Sequence, residues 1–123
     1  MVKHLHGVID YDKHSEILHD DHKILIYLDD MTLTDIASQD GSHLRKFHTI
    51  AKSILEEKAR SFPIKFSIEY DETDVEFSSY YALRVRIVAD GKTRFITAHN
   101  VPVLTHGHPT DNVRIQVEKI DTM

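Results

Sequence analysis

YALRVRIVADGKTRFIT, residues 81–97, decides the fold. Tyr81, Leu83, Val85, Ile87 and Ala89 alternate with Ala82, Arg84, Arg86 and Val88. A period of two, rich in β-branched and aromatic residues, sends successive side chains to opposite faces of a strand. The odd positions therefore read as buried, with Arg84 and Arg86 facing out. Asp90-Gly91 follows, a pair favoured in type I′ hairpins because both turn positions require positive φ. Lys92–Ala98 returns as the partner strand.

Working outward, Ile64, Phe66, Ile68 and Tyr70 alternate with Lys65, Ser67 and Glu69, a second half-buried strand. Pro63 precedes it, where no ladder donor is needed. Asp71–Ser79 is acidic and polar and reads as a loop. Val101–Leu104 is extended, since the residue before Pro102 avoids the α region. His106–Asn112 is a Gly/Pro turn, and Val113, Ile115 and Val117 alternate with Arg114, Gln116 and Glu118 as a last strand. In the first half, Ile24–Leu28 is a continuous apolar run, which predicts a strand buried on both faces. Val2–Asp10 is a weaker strand, and Met31–Ile36 either extends the central strand or turns from it. Leu44, Phe47, Ile50, Ala51, Ile54 and Leu55 recur at helical spacing, so periodicity predicts a helix over Ser42–Arg60. The expected architecture is a mainly β, antiparallel β-sandwich of about seven to eight strands, with room for one helix within 42–60.

The 123 residues suit a single domain, 1–123, with no internal repeat or linker. The net charge of −5 offers no basic stripe for nucleic acid. With no Cys, disulfides, thiolate chemistry and Cys-ligated metals are excluded within this sequence. MVKHLHGVIDYD has no signal-like apolar run, and no stretch approaches the roughly 18 apolar residues of a membrane span. The expectation is a cytoplasmic protein if Met1 is native, and a periplasmic or secreted one if a leader was trimmed.

Neither a G-x-S-x-G elbow nor a phosphate loop occurs. Asp29-Asp30 is adjacent on a strand, so its carboxylates diverge and make a poor acid–base dyad. Ten histidines stand out. His4-x-His6 puts two imidazoles on one strand face, and His106-x-His108 lies in a turn beside Asp111; these are the candidate metal ligands. Solvated, separate imidazoles are the plainer reading, because structural zinc usually takes four protein ligands. His14, His19, His22, His43, His48 and His99 fit no ligand spacing; passive titration is likewise the plainer reading than pH sensing. Tyr80, next to core-facing Tyr81, is a candidate exposed binding anchor. Arg84, Arg86 and Arg94 are candidates for a basic strip on the outer face of the hairpin, either solvated or meeting an acidic partner. No cofactor is expected.

Five segments in order, GVIDY at Gly7–Tyr11, ILIYLDDMTLTDIAS at Ile24–Ser38, FPIKFSIEYD at Phe62–Asp71, YALRVRIVADGKTRFIT at Tyr81–Thr97 and VPVLTHG at Val101–Gly107, resemble the YscW/YbaY family of type III secretion lipoprotein chaperones, or pilotins. The resemblance implies a compact β-sandwich without a catalytic centre. Founding members of that family escort an outer-membrane secretin subunit. It also implies a strand around Phe47–Leu55, against the helical periodicity there. The chain departs from the family in lacking an acylated Cys and in a longer stretch at Asp40–Lys46, and no functional residue carries over. The reading is a non-enzymatic binding domain that takes a protein segment at a sheet edge or groove; the alternative is a His-mediated metal-binding protein. Val2–Asp10 lacks Pro and is expected to be an open edge, pairing with a second copy or with a peptide.

Overall fold

Strands form where apolar residues alternate, and the Tyr81–Thr97 hairpin lies in the middle of the sheet they build. The structure, a computed structural model, describes residues 2–12, 17–18, 22–31, 48–55 and 60–120. In chain order its strands are β1 (Val2–Asp10), β2 (Ile17–Leu18), β3 (Lys23–Asp30), β4 (His48–Leu55), β5 (Arg60–Ser61), β6 (Ile64–Asp71), β7 (Tyr81–Ala89), β8 (Lys92–Thr97), β9 (Val101–Val103) and β10 (Val113–Lys119). A short 3-10 turn, Glu72–Asp74, follows β6. The β7–β8 hairpin turns through Asp90 at φ 53° and Gly91 at φ 71°. Its odd residues are buried and Arg86 is exposed, as the alternation requires.

Eight strands join one sheet in the order β4-β3-β7-β8-β10-β1-β6, with β9 added to β7; β2 and β5 pair separately. Two ladders meet in β10. Val113–Gln116 runs parallel to Gly7–Asp10, and Val117–Lys119 runs antiparallel to Phe95–Thr97. β10 thus carries the sheet round a corner. The end strands β4 and β6 come against each other without a ladder between them. The result is a nearly closed, barrel-like sheet with one parallel pair, β1 with β10, where a mainly antiparallel sandwich was expected. Its interior is filled by Leu5, Ile26, Ile68, Ile87, Val103 and Ile115, all fully buried. Tyr11, Phe62 and Phe95 cluster beside them, with ring centroids 5.1 to 5.6 Å apart.

Three expectations need correction. The helix within 42–60 is absent over His48–Leu55, which is strand β4, as the resemblance implied; residues 42–47 and 56–59 lie outside the described residues. The run Ile24–Leu28 is fully buried on one face only, because Leu25 and Tyr27 turn to a half-open outer surface. β3 ends at Asp30, and residues 32–36 lie outside the described residues. Val2–Asp10 is not an edge. β6 pairs with Val2–Ile9 on one side and β10 with Gly7–Asp10 on the other, so the predicted N-terminal edge for self-pairing is largely used up within the chain. Gly7 permits this approach. A Cβ there would lie 2.7 Å from Phe66 Cε1 and closer still to the Val113 carbonyl oxygen.

Candidate functional site

The outward side chains of β4, β3, β7 and β8 fall into rows set by strand register. Ile54, Leu25, Arg86 and Ile96 lie opposite one another across the four strands, and Lys52, Tyr27 and Arg84 form the next row. Ile54 is 49% and Ile96 41% exposed. The Arg84 guanidinium lies over the Tyr27 ring at 4.1 Å, and Lys52 Nζ is 5.6 Å from the same ring. Arg84 Nε donates to Asp29 Oδ2 at 2.8 Å, and Thr49 Oγ1 donates to Asp29 Oδ1 at 2.7 Å. Asp29 is only 2% exposed, so a cation and a hydroxyl together offset its desolvation. Arg86 Nε donates to Thr93 Oγ1 at 2.7 Å. Arg94 leaves the strip. It is the extra residue where the β7–β8 register shifts, and it reaches back to Asp90 at 4.0 Å near the hairpin tip.

Tyr80 is half exposed and stacks flat on His106, with centroids 3.9 Å apart and planes 10° from parallel. His106 Nε2 lies 3.2 Å from the Ser78 carbonyl oxygen, and Thr105 Oγ1 donates to the Ser79 carbonyl. Tyr80 and His106 therefore latch the turn after β9 onto the loop before β7. Phe77, in that loop, is 92% exposed.

His4 and His6 share a face, as their spacing requires, and stack with centroids 6.1 Å apart. Asp111 joins His6 and not the His106–His108 turn residues: its Oδ1 accepts the His6 backbone N–H at 3.1 Å and lies 3.4 Å from His6 Nδ1. Backbone N–H groups of Asn112 and then His6 hold its carboxyl below the usual carboxylate range. Among the described residues no group of three or more His, Asp or Glu side chains could hold a metal ion. His14, His19 and His43 lie outside the described residues.

A pocket of about 510 Å³ opens at the barrel end where β4 begins, lined in part by Asp30, His48, Ile50, Asp74, Glu76 and Tyr81. Asp29 and Asp30 part company as strand neighbours must, Asp29 under Arg84 and Asp30 in this pocket. Sequence reading singled out Arg84 and Arg86 but not Tyr27, Lys52, Ile54 or Ile96, whose place beside them depends on the pairing of β3 with β4 and β7. No helix among the described residues is long and apolar enough to cross a membrane.

The model of a protein family described as the type III secretion system lipoprotein chaperone (YscW) matches residues 2–117. No curated protein matches the chain. A solved structure described as an alternative pilotin from the type II secretion system of Vibrio cholerae is similar, with 24% sequence identity and a TM-score of 0.84 over 99% of this chain and 100% of that one. At that identity the likeness is one of fold.

Proposed function

The chain belongs to the YscW family of type III secretion system lipoprotein chaperones, and from that premise we propose that it works by binding and not by catalysis, holding a segment of a secretion-system protein. The client suggested by the family resemblance is an outer-membrane secretin subunit, met on the periplasmic side. The observation that carries the reading is the outer face of β4, β3, β7 and β8. There Ile54 and Ile96 stand exposed beside Lys52, Tyr27, Arg84 and Arg86. Hydrogen bonds and ring contacts fix both arginines on rigid strands, which lowers the entropy lost when a partner docks. A mixed apolar and cationic surface of this kind suits recognition of another protein.

The test is co-expression of the candidate secretin subunit with and without this chain, followed by size-exclusion chromatography. Co-elution and a raised yield of assembled subunit are expected. Separate elution with unchanged assembly would overturn the reading.

A further inference from the structure

We infer that the loop between β6 and β7 docks a basic protein segment through the exposed ring of Phe77 and the carboxylates of Asp74 and Glu76. An arginine or lysine side chain of the partner lies against the ring while its charge meets the carboxylates. This contact is built from other residues than the face of β4, β3, β7 and β8, and it goes beyond the binding function proposed above.

Exposure is the first argument. Phe77 is 92% exposed, so its ring contributes almost nothing to the fold. The turn that carries it is nonetheless well tied. Ser79 N–H donates to the Glu76 carbonyl at 3.0 Å, which puts Phe77 and Ser78 at the tip of a four-residue turn. Glu76 N–H donates at 2.7 Å to the hydroxyl of Tyr81, a side chain buried in the core. Thr105 Oγ1 donates to the Ser79 carbonyl. A fixed turn that points an aromatic ring at water loses little entropy when a partner covers it. Tyr80, half exposed, follows three residues on.

Charge selects the occupant. From Phe66 to Leu83 the chain has five carboxylates, Glu69, Asp71, Glu72, Asp74 and Glu76, and no Lys, Arg or His. Glu72 pairs with Lys3 at 3.0 Å. Among the described residues no cation forms an ion pair with Asp74 or Glu76, and both line the pocket of about 510 Å³ at this end of the barrel. The whole chain carries a net charge of −5, so the local sign and the overall sign agree. The negative face of an aromatic ring and a carboxylate both attract a cation, so ring and acids select the same side chain. An anionic lipid surface is repelled by these carboxylates, and interfacial binding calls for a broad apolar face, not one ring.

The test is fluorescence anisotropy on the full chain with a labelled peptide of alternating Leu and Arg, the same peptide with Glu for Arg, and vesicles of phosphatidylglycerol with phosphatidylcholine. The Arg peptide is expected to bind, more weakly as salt rises. Phe77→Ala and Phe77→Leu should each weaken it about tenfold, as loss of a cation–π contact does, while Phe77→Tyr keeps it. Glu76→Lys should weaken it at least as much. Glu118→Lys makes the same change in net charge on the exposed surface of β10 and should weaken it far less. Melting curves should be unmoved by Phe77→Ala, because a ring in water adds little to stability. Equal binding of the Glu peptide, no binding of the Arg peptide, indifference to Phe77→Ala, or equal losses from Glu118→Lys and Glu76→Lys would overturn the proposal. Vesicle binding lost in Phe77→Ala would assign the ring to a membrane, and a dimer lost in that variant would assign it to a second copy; either overturns it. Ile96→Ser should leave binding of the Arg peptide intact, so failure here is distinct from failure of the face proposed above.

Discussion

Gly7→Ala tests the joint on which closure of the sheet depends. Gly7 is absent from the positive-φ residues, so Ala there would ordinarily stabilise by about 0.4–1 kcal/mol through the unfolded chain. The structure predicts the opposite sign. The new Cβ would meet Phe66 Cε1 at 2.7 Å and Cζ at 2.8 Å, and would overlap the Val113 carbonyl oxygen. Phe66 is buried in the core and Val113 is the residue paired with Gly7, so neither yields cheaply. Overpacking of this kind costs about 1–3 kcal/mol. Drawing β10 away from β1 would lose one or two ladder hydrogen bonds at about 0.5–1.5 kcal/mol each. The net loss is about 2–4 kcal/mol, or a fall in Tm of roughly 8–16 °C for a domain of this size. Calorimetry and urea denaturation measure it, with the midpoint falling and m unchanged. Gly7→Ala with Phe66→Leu relieves the ring contact but not the carbonyl, and should not restore stability. A melting temperature equal to or above the wild type would refute the reasoning.

Gly91→Val, at φ 71° with open space around it, should lose about 1–3 kcal/mol by backbone strain alone, read by thermal melts. Ile87→Ala should cost about 2–5 kcal/mol and Arg86→Ala far less; the reverse order would mean that β7 is out of register by one residue. Arg84→Ala leaves the Asp29 carboxylate with Thr49 but without its cation, and should cost about 1–3 kcal/mol, recovered in part by Asp29→Asn in the same chain. The backbone N–H and hydroxyl of Thr73 hold the Asp71 carboxyl below its usual range. Stability from a depressed carboxylate is present above its unfolded-state pKa and lost as pH falls through the folded one. Asp71→Asn should therefore melt below the wild type at neutral pH, with the gap closing in acid.

What the sequence made legible was local. The alternation from Tyr81 to Ala89 and the Asp90-Gly91 pair placed the hairpin and its inward face because a strand and its turn are written in adjacent residues. β4 misled for a physical reason. The β3–β4 register shifts between Leu28 and Asp29, leaving Ile50 as an extra residue between Thr49 and Ala51. Such a bulge breaks period two, and with Ile50, Ala51, Ile54 and Leu55 the apolar spacing then mimics a helix. The interior position of β1 was illegible because its second neighbour, β10, lies at the far end of the chain. For the same reason Asp111 was grouped with His106 and His108, when folding brings it to His6 across 105 residues. Arg84 and Arg86 could be placed on an outer face from alternation alone, but their neighbours Lys52 and Ile54 could not, since those belong to a strand that reads as a helix.

The double membership of β10 dictates when this protein can fold. Until Val113–Gln116 exists, β1 has no partner on its second side, and until Val117–Lys119 exists, β8 is without its β10 neighbour. A growing chain can assemble the β7–β8 hairpin, and the β1–β6 and β3–β7 ladders, but it cannot shut the cylinder before β10 arrives. Contacts of such long sequence separation slow folding, because the loop entropy is lost before the ladder forms. An unfinished or C-terminally shortened chain would therefore display two raw strand margins at once, the surfaces most prone to indiscriminate pairing, and its own synthesis would be the step most in need of protection.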